Sequence, residues 1–286
     1  MIISIASGKG GTGKTTVATN LALSISSMQD VVFLDCDVEE PNAHLFLRPT
    51  INEVETVERP VPEVEKEKCT FCGKCAQICE FKAIIVVGKS ILTFHELCHG
   101  CGGCAQICPE GAIKEVGKEI GVIEKGEVKG IKFYHGKLRI GEAMSPPLIK
   151  KVRRYEDRKK TTIIDAPPGT SCPVIASMKG ADFVLLVTEP TPFGLYDLEL
   201  AVGAVRTLNL PCGLVINRAD IGDERVKKYA EKEKIPVLLE IPFDKRIAEL
   251  YSKGIPFVQE LPEWKEKFIE LYKEIERIVD ERAGNT

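Results

Sequence analysis

Two runs with the spacing C-x2-C-x2-C-x3-C occupy residues 69–79 and 98–108, and a glycine-rich loop, GKGGTGKT, occupies residues 8–15. The cysteine runs have the spacing of iron–sulfur ligands. A cubane cluster needs four thiolates aimed at four corners; three closely spaced cysteines wrap one cluster, and the fourth points away and reaches the other. Cys69, Cys72, Cys75 and Cys108 are therefore expected to hold one [4Fe–4S] cluster, and Cys98, Cys101, Cys104 and Cys79 the second. Zinc is the blander reading, but zinc sites use separated C-x2-C pairs rather than two four-cysteine runs. Gly73, Gly100, Gly102 and Gly103 leave room for backbone N–H groups near cluster sulfurs. With eight cysteines completing both sets, His95 and His99 read as surface or supporting residues rather than ligands.

The glycine loop satisfies G-x4-G-K-[ST], follows a short β-rich run and opens a helical pattern, the setting in which this motif cradles phosphates. Backbone N–H groups from Gly8 to Thr16, through Lys9, Gly10, Gly11, Thr12 and Gly13, are expected to face phosphate oxygens at a helix N-terminus. Lys14 is expected to reach the β- and γ-phosphates, and the Thr15 hydroxyl to bind Mg²⁺.

Elements of an α/β domain must position these groups. IISIA (2–6), VVFLD (31–35), TTIID (161–165), DFVLLVT (182–188), GLVIN (213–217) and PVLLEI (236–241) read as buried strands with helices between them. That alternation predicts a mostly parallel sheet with helices on both faces. The cysteine block interrupts it after the second strand. RPTINEVETVERPVPEVEKEK reads as a Pro- and Glu-rich linker leading into the block, and Ile120 to Ile140 as hairpin strands leading out. The two runs align without gaps as CTFCGKCAQICEFKAI and CHGCGGCAQICPEGAI, an internal repeat too poor in large apolar residues to fold on hydrophobic burial alone. The expected layout is a phosphate-loop domain in two parts, 1–58 and 119–286, around an inserted small α+β domain at 59–118.

A net charge of −3 gives no case for binding nucleic acid. No apolar run reaches membrane-span length and no signal peptide precedes the first strand, so a reducing cytoplasmic location is expected. There, eleven cysteines are not disulfides.

The cysteine block resembles a bacterial-type 2[4Fe–4S] ferredoxin, departing from it at Glu80, where the pattern has Pro; Pro109 keeps the pattern in the second run. KGGTGKT resembles the deviant Walker A loop of the MinD/ParA/Mrp group of P-loop ATPases. The resemblance implies an ATP-dependent homodimer in which Lys9 contacts the partner's phosphates. LDCDVEEPN resembles the group's aspartate-bearing segment, which puts Asp37 at the attacking water or the Mg²⁺ shell. IIDAPPG resembles its Walker B segment, which puts Asp165 near Mg²⁺. Asn217 stands where the group places an adenine-contacting residue, and IPFD, with Pro242 and Asp244, resembles the loop covering the base. Asn217-Arg218-Ala219-Asp220 also resembles the guanine-reading N-K-x-D, while the wider match is to users of ATP. Asp35 carries no firm role.

Together the chain resembles MinD-superfamily ATPases with an inserted ferredoxin domain. That implies nucleotide-gated electron transfer with an unidentified redox or iron–sulfur client. An Mrp-type cluster carrier is the alternative, as is a redox-sensing positioning ATPase. Neither the carriers' C-terminal C-x-x-C nor a basic membrane anchor is present. Trp264, Phe268, Leu271, Ile275 and Ile278 share one helical face, expected to dock on the sheet. Cys36 and Cys212 read as small buried hydrophobes. Cys172 has the offset from Asp165 of a cluster ligand in the group's nitrogenase iron protein, without an obvious second cysteine to match.

Overall fold

The computed structural model describes residues 1–284. Its eleven strands, in chain order, are β1 (Ile2–Ala6), β2 (Val31–Asp35), β3 (Thr50–Val64), β4 (Ile84–Val87), β5 (Ser90–Thr93), β6 (Ile113–Val128), β7 (Ile131–Leu138), β8 (Thr161–Asp165), β9 (Phe183–Thr188), β10 (Cys212–Asn217) and β11 (Val237–Ile241). Nine form one sheet in the order β11-β10-β9-β1-β8-β2-β7-β6-β3. From β11 to β7 every neighbouring pair is parallel; β6 and β3 then add an antiparallel edge.

The ten α-helices are α1 (Lys14–Ile25), α2 (Ala43–Leu47), α3 (Lys74–Ile78), α4 (Gly103–Ile107), α5 (Pro146–Val152), α6 (Cys172–Met178), α7 (Pro192–Thr207), α8 (Arg225–Lys232), α9 (Lys245–Ser252) and α10 (Pro262–Gly284). One face of the sheet, with Ile3, Phe33, Phe133 and Leu185, packs on α1 and α10. Trp264, Phe268, Leu271 and Ile275 of α10 are buried there, so the C-terminal helix docks on the sheet as its pattern predicts. The opposite face is covered by α7 and α8 over β9 and β10, and by α5 over β2.

The segment expected to be a linker is a strand. β3 runs for fifteen residues and pairs antiparallel with β6 from Thr50↔Glu127 to Val64↔Ile113. Its Pro60 and Pro62 are tolerated because β3 is the edge of the sheet, where a missing N–H costs least. Composition misleads here because the strand is stabilised by a partner some fifty residues or more away in the chain, not by its own propensity. The resulting ribbon leaves the main sheet through β7 and carries the cysteine repeat at its far end. It runs unbroken through residues 58–59 and 118–119, with a register shift between Val57 and Glu58.

Within the repeat, α3 and α4 are matched single turns, each started by a glycine in the left-handed region, Gly73 at φ 77° and Gly102 at φ 71°. The two helices pack on each other, and β4 and β5 form a separate hairpin beside them.

Candidate functional site

The glycine loop lies between the end of β1 and the start of α1, with Gly11 at φ 78° and Gly13 at φ 97°. Two of its glycines are required by close approach. A Cβ on Gly8 would fall 2.0 Å from the Asp197 carbonyl oxygen, and one on Gly13 would fall 2.6 Å from Asn217 Nδ2. No side chain caps α1, which leaves its N-terminal dipole available to an anion. The loop forms one wall of a cavity of about 350 Å³, lined by Lys14, Thr15 and Thr16 and by Asp37 across from them. Lys14 is 6% exposed.

Three acids at the strand ends behave differently. Asp35 is fully buried, and its two oxygens accept the N–H groups of Asp37 and Ala43, both at 3.1 Å. Its work is to fold the 36–43 loop that presents Asp37. Asp165 is also fully buried, but neither of its oxygens has a hydrogen-bond partner. Burial lifts its carboxyl to about 7, against the pull of Lys14 and of Thr15, which lies beside it without reaching hydrogen-bonding geometry. Burial likewise lifts Asp37 to about 6, opposed by Lys14 and assisted by Glu39 and Glu40. A buried carboxylate with unpartnered oxygens, beside a threonine hydroxyl and a phosphate loop, fits a hard divalent cation, whose charge would restore the ionised form.

Away from the glycine loop, Pro242, Phe243 and Asp244 after β11 join Ile247 and Tyr251 of α9 as cavity walls. Asn217 lines the cavity too, but its amide is already engaged: Nδ2 donates to the Thr12 carbonyl at 2.9 Å, and Oδ1 accepts the Arg218 N–H at 3.0 Å. Asp220 accepts the Phe243 N–H at 2.6 Å, so the acid of the guanine-like motif is spent on holding the 242–244 loop at the cavity wall. Asp244 caps α9 and pairs with Arg246. Lys9, partly exposed, does not line the cavity. Phe243 lies within the IPFD loop, whereas Tyr251 carries no motif and is brought to the cavity by α9 alone.

A family model, the CobQ/CobB/MinD/ParA nucleotide-binding domain, matches residues 3–257. The chain belongs to that family. It is a P-loop ATPase of the MinD/ParA type, with ATP and Mg²⁺ as the ligands its fold supports. An uncharacterized protein of Methanocaldococcus jannaschii is 33% identical over 268 residues, covering 91% of this chain and 92% of that one. An iron–sulfur cluster carrier protein of Pyrococcus horikoshii is 26% identical over 305 residues, covering 99% of this chain and 88% of that one. Among solved structures, the septum site-determining protein MinD of Pyrococcus horikoshii, complexed with Mg-ADP, shares the fold with a TM-score of 0.62 at 22% identity, covering 97% of this chain and 96% of that one.

The cysteines of this MinD/ParA-type ATPase surround two further cavities. Cys69, Cys72, Cys75 and Cys108 line the smaller, of about 20 Å³. Cys79, Cys98, Cys101 and Cys104 line the larger, of about 190 Å³. Among the described residues no three His, Cys, Asp or Glu side chains converge as a single-ion site requires. Backbone N–H groups already reach three sulfurs: Ala83 to Cys79 at 3.3 Å, Gly100 to Cys98 at 3.4 Å and Ala112 to Cys108 at 3.3 Å. His99 stacks on Phe81 with ring centroids 3.5 Å apart at the edge of the larger cavity, and His95 Nε2 lies 3.0 Å from the Pro62 carbonyl. Cys36 is buried in the core and Cys212 packs at its edge, while Cys172 is exposed at the start of α6. Among the described residues no helix is long and apolar enough to cross a membrane.

Proposed function

We propose that this ATPase uses nucleotide binding and hydrolysis to gate electron transfer through two [4Fe–4S] clusters. The observation that carries the reading is the sorting of eight cysteines, drawn crosswise from two runs, into two four-cysteine cavities. Cys69, Cys72, Cys75 and Cys108 would hold one cluster, and Cys98, Cys101, Cys104 and Cys79 the other, within an insert spanning 59–118. Each cluster, when bound, supplies a one-electron couple. The N–H groups aimed at Cys79, Cys98 and Cys108 stabilise negative charge on those sulfurs.

At the nucleotide, Gly8 to Thr16 cradle the phosphates, Lys14 neutralises the β- and γ-oxygens and Thr15 with Asp165 holds Mg²⁺. Asp37 orients the attacking water. Asn217, Pro242 and Asp244 shape the base side. Lys9 stands outside the cavity of its own chain, which supports a role across an ATP-dependent homodimer, on the phosphates of the second copy. The partner in electron transfer is a redox or iron–sulfur client.

A second reading, cluster assembly or delivery, is favoured by relatives named iron–sulfur cluster carrier protein at 25–27% identity. Four thiolates per cluster suit retention over release, which supports electron transfer.

Anaerobically purified protein is expected to contain about eight irons per chain. About two zincs per chain and no brown absorbance would overturn both readings. If clusters leave for an apo-acceptor on ATP hydrolysis, the carrier reading replaces the first.

A further inference from the structure

The larger cysteine cavity is bolted to the ATPase body and the smaller is not. Arg59, on β3, is buried, and its Nη2 donates to Glu142 Oε1 at 3.2 Å and to the His95 carbonyl at 3.2 Å. That same carbonyl accepts the Cys98 N–H at 3.2 Å, so Arg59 grips the turn that presents the second run. Gly100 packs so close that a Cβ there would fall 3.0 Å from the Pro60 carbonyl oxygen and 3.2 Å from Arg59 Cγ. In the first run the matching turn closes through Cys69 N–H to the Lys66 carbonyl at 3.3 Å, and no arginine contacts it among the described residues.

Glu142 leads back to the nucleotide. It lies four residues beyond Leu138, whose N–H donates to the Val38 carbonyl at 2.8 Å, and Val38 follows Asp37 of the cavity wall. Val38 is locked against β7: a Cβ on Gly136 would fall 2.6 Å from its Cγ1. Between Leu138 and Glu142 the chain is held by two backbone bonds, Arg139 N–H to the Ile120 carbonyl at 2.9 Å and Glu142 N–H to the Arg139 carbonyl at 3.0 Å, while Ile140 is 99% exposed and Gly141, at φ 84°, has open space around it. The ion pair itself has an unused second arrangement. Arg59 Nε and Nη1 are buried without partners, while Glu142 Oε2 stands at a marginal 3.5 Å from Nη2. A small shift of the 139–142 segment would convert one-legged contact into the stronger side-on pair with two parallel bonds.

We infer that Arg59 is a positioning residue through which the nucleotide site acts on the second cysteine run alone. The route is Asp37–Val38 to Leu138, along 139–142 to Glu142, and through Arg59 to the turn before Cys98. It rests on the reading of the runs as cluster ligands, and makes the Cys79/Cys98/Cys101/Cys104 cluster the one that senses nucleotide.

Amide hydrogen exchange of the full chain, with and without MgATP, tests this. Exchange in peptides covering 95–104 is expected to change by about threefold or more, with peptides covering 66–78 unchanged. Arg59→Lys keeps a donor to the His95 carbonyl and should retain a reduced response. Arg59→Met combined with Glu142→Met removes both buried charges together, which spares the fold. It should abolish the response while MgATP still binds, with an affinity change no larger than the exchange effect it removes, since the coupling is reciprocal. Survival of the response in that double variant would overturn the proposal, as would equal responses in both runs or none in the wild type. Iron content of the same samples reports separately on whether clusters are present.

Discussion

Asp35 and Asp165 are in-register neighbours at the ends of the parallel strands β2 and β8, both fully buried, yet only Asp35 has hydrogen bonds. The backbone satisfies one acid and leaves the other open beside the phosphate loop. Asp35→Ala should therefore strand two buried N–H groups and lower stability by about 2–4 kcal/mol. Asp165→Asn should leave nucleotide-free stability intact or raise it, while reducing ATP hydrolysis by ~10²-fold or more. Urea unfolding and steady-state hydrolysis on the two variants separate these roles; a fragile Asp165→Asn protein would show that Asp165 is structural.

Protonation of the same site makes stability depend on pH. Burial lifts Asp165 to about 7 and Asp37 to about 6, from 3.8. Between those limits these two carboxyls bind more protons in the folded protein than in the unfolded chain, so their contribution to nucleotide-free stability is full below pH ~4 and is lost as pH rises through about 7. Asp165→Asn should flatten that decline relative to wild type. MgADP should flatten it too, because a bound cation supplies the charge that burial withholds. Unfolding midpoints measured across the window, with and without MgADP, check both. Parallel slopes in wild type and Asp165→Asn would mean the carboxyl is not held protonated.

Lys14→Ala should abolish nucleotide binding and leave iron content nearly unchanged, because Lys14 lines the nucleotide cavity and the cysteines lie at the far end of the β3–β6 ribbon. Calorimetry and iron assay on one preparation suffice. Loss of iron would show that the cysteine repeat does not hold its structure independently of the nucleotide site.

Lys9→Ala should still bind ATP but fail to dimerise with it and hydrolyse it poorly. Sedimentation with a slowly hydrolysed analogue reads the first effect. An unimpaired dimer would remove Lys9 from a role across the interface.

Gating at equilibrium requires that ATP bind the oxidised and reduced protein differently, since linkage is reciprocal. A tenfold difference in affinity corresponds to a shift of about 59 mV in a one-electron couple. Reduction adds negative charge, which opposes phosphate, so MgATP should lower the potential. Redox titration with and without MgATP decides this; unchanged potentials together with unchanged affinities would leave the carrier reading the better one.

The sequence by itself determined the phosphate loop, the six main parallel strands, the hairpin after the cysteine repeat and the buried face of α10. These are legible because each is written in local periodicity or in a short contiguous motif: VVFLD and TTIID become β2 and β8 with the same bounds. The run spacing also leads one to expect Cys79 and Cys108 to cross over, and each lines the cavity of the other run. Tertiary structure decided what depends on distant partners. The Pro- and Glu-rich stretch at 50–64 becomes a strand only through residues 113–128. Asp35 and Asp165 look alike in sequence, and only the loop folding back onto Asp35 sets them apart. Phe243 and Tyr251 meet Lys14 and Thr15 only around the folded cavity, and Arg59 meets Glu142 across 83 residues of chain. Such pairs carry no periodic signal, because each is selected by one place in the folded molecule and by nothing next to it in the chain.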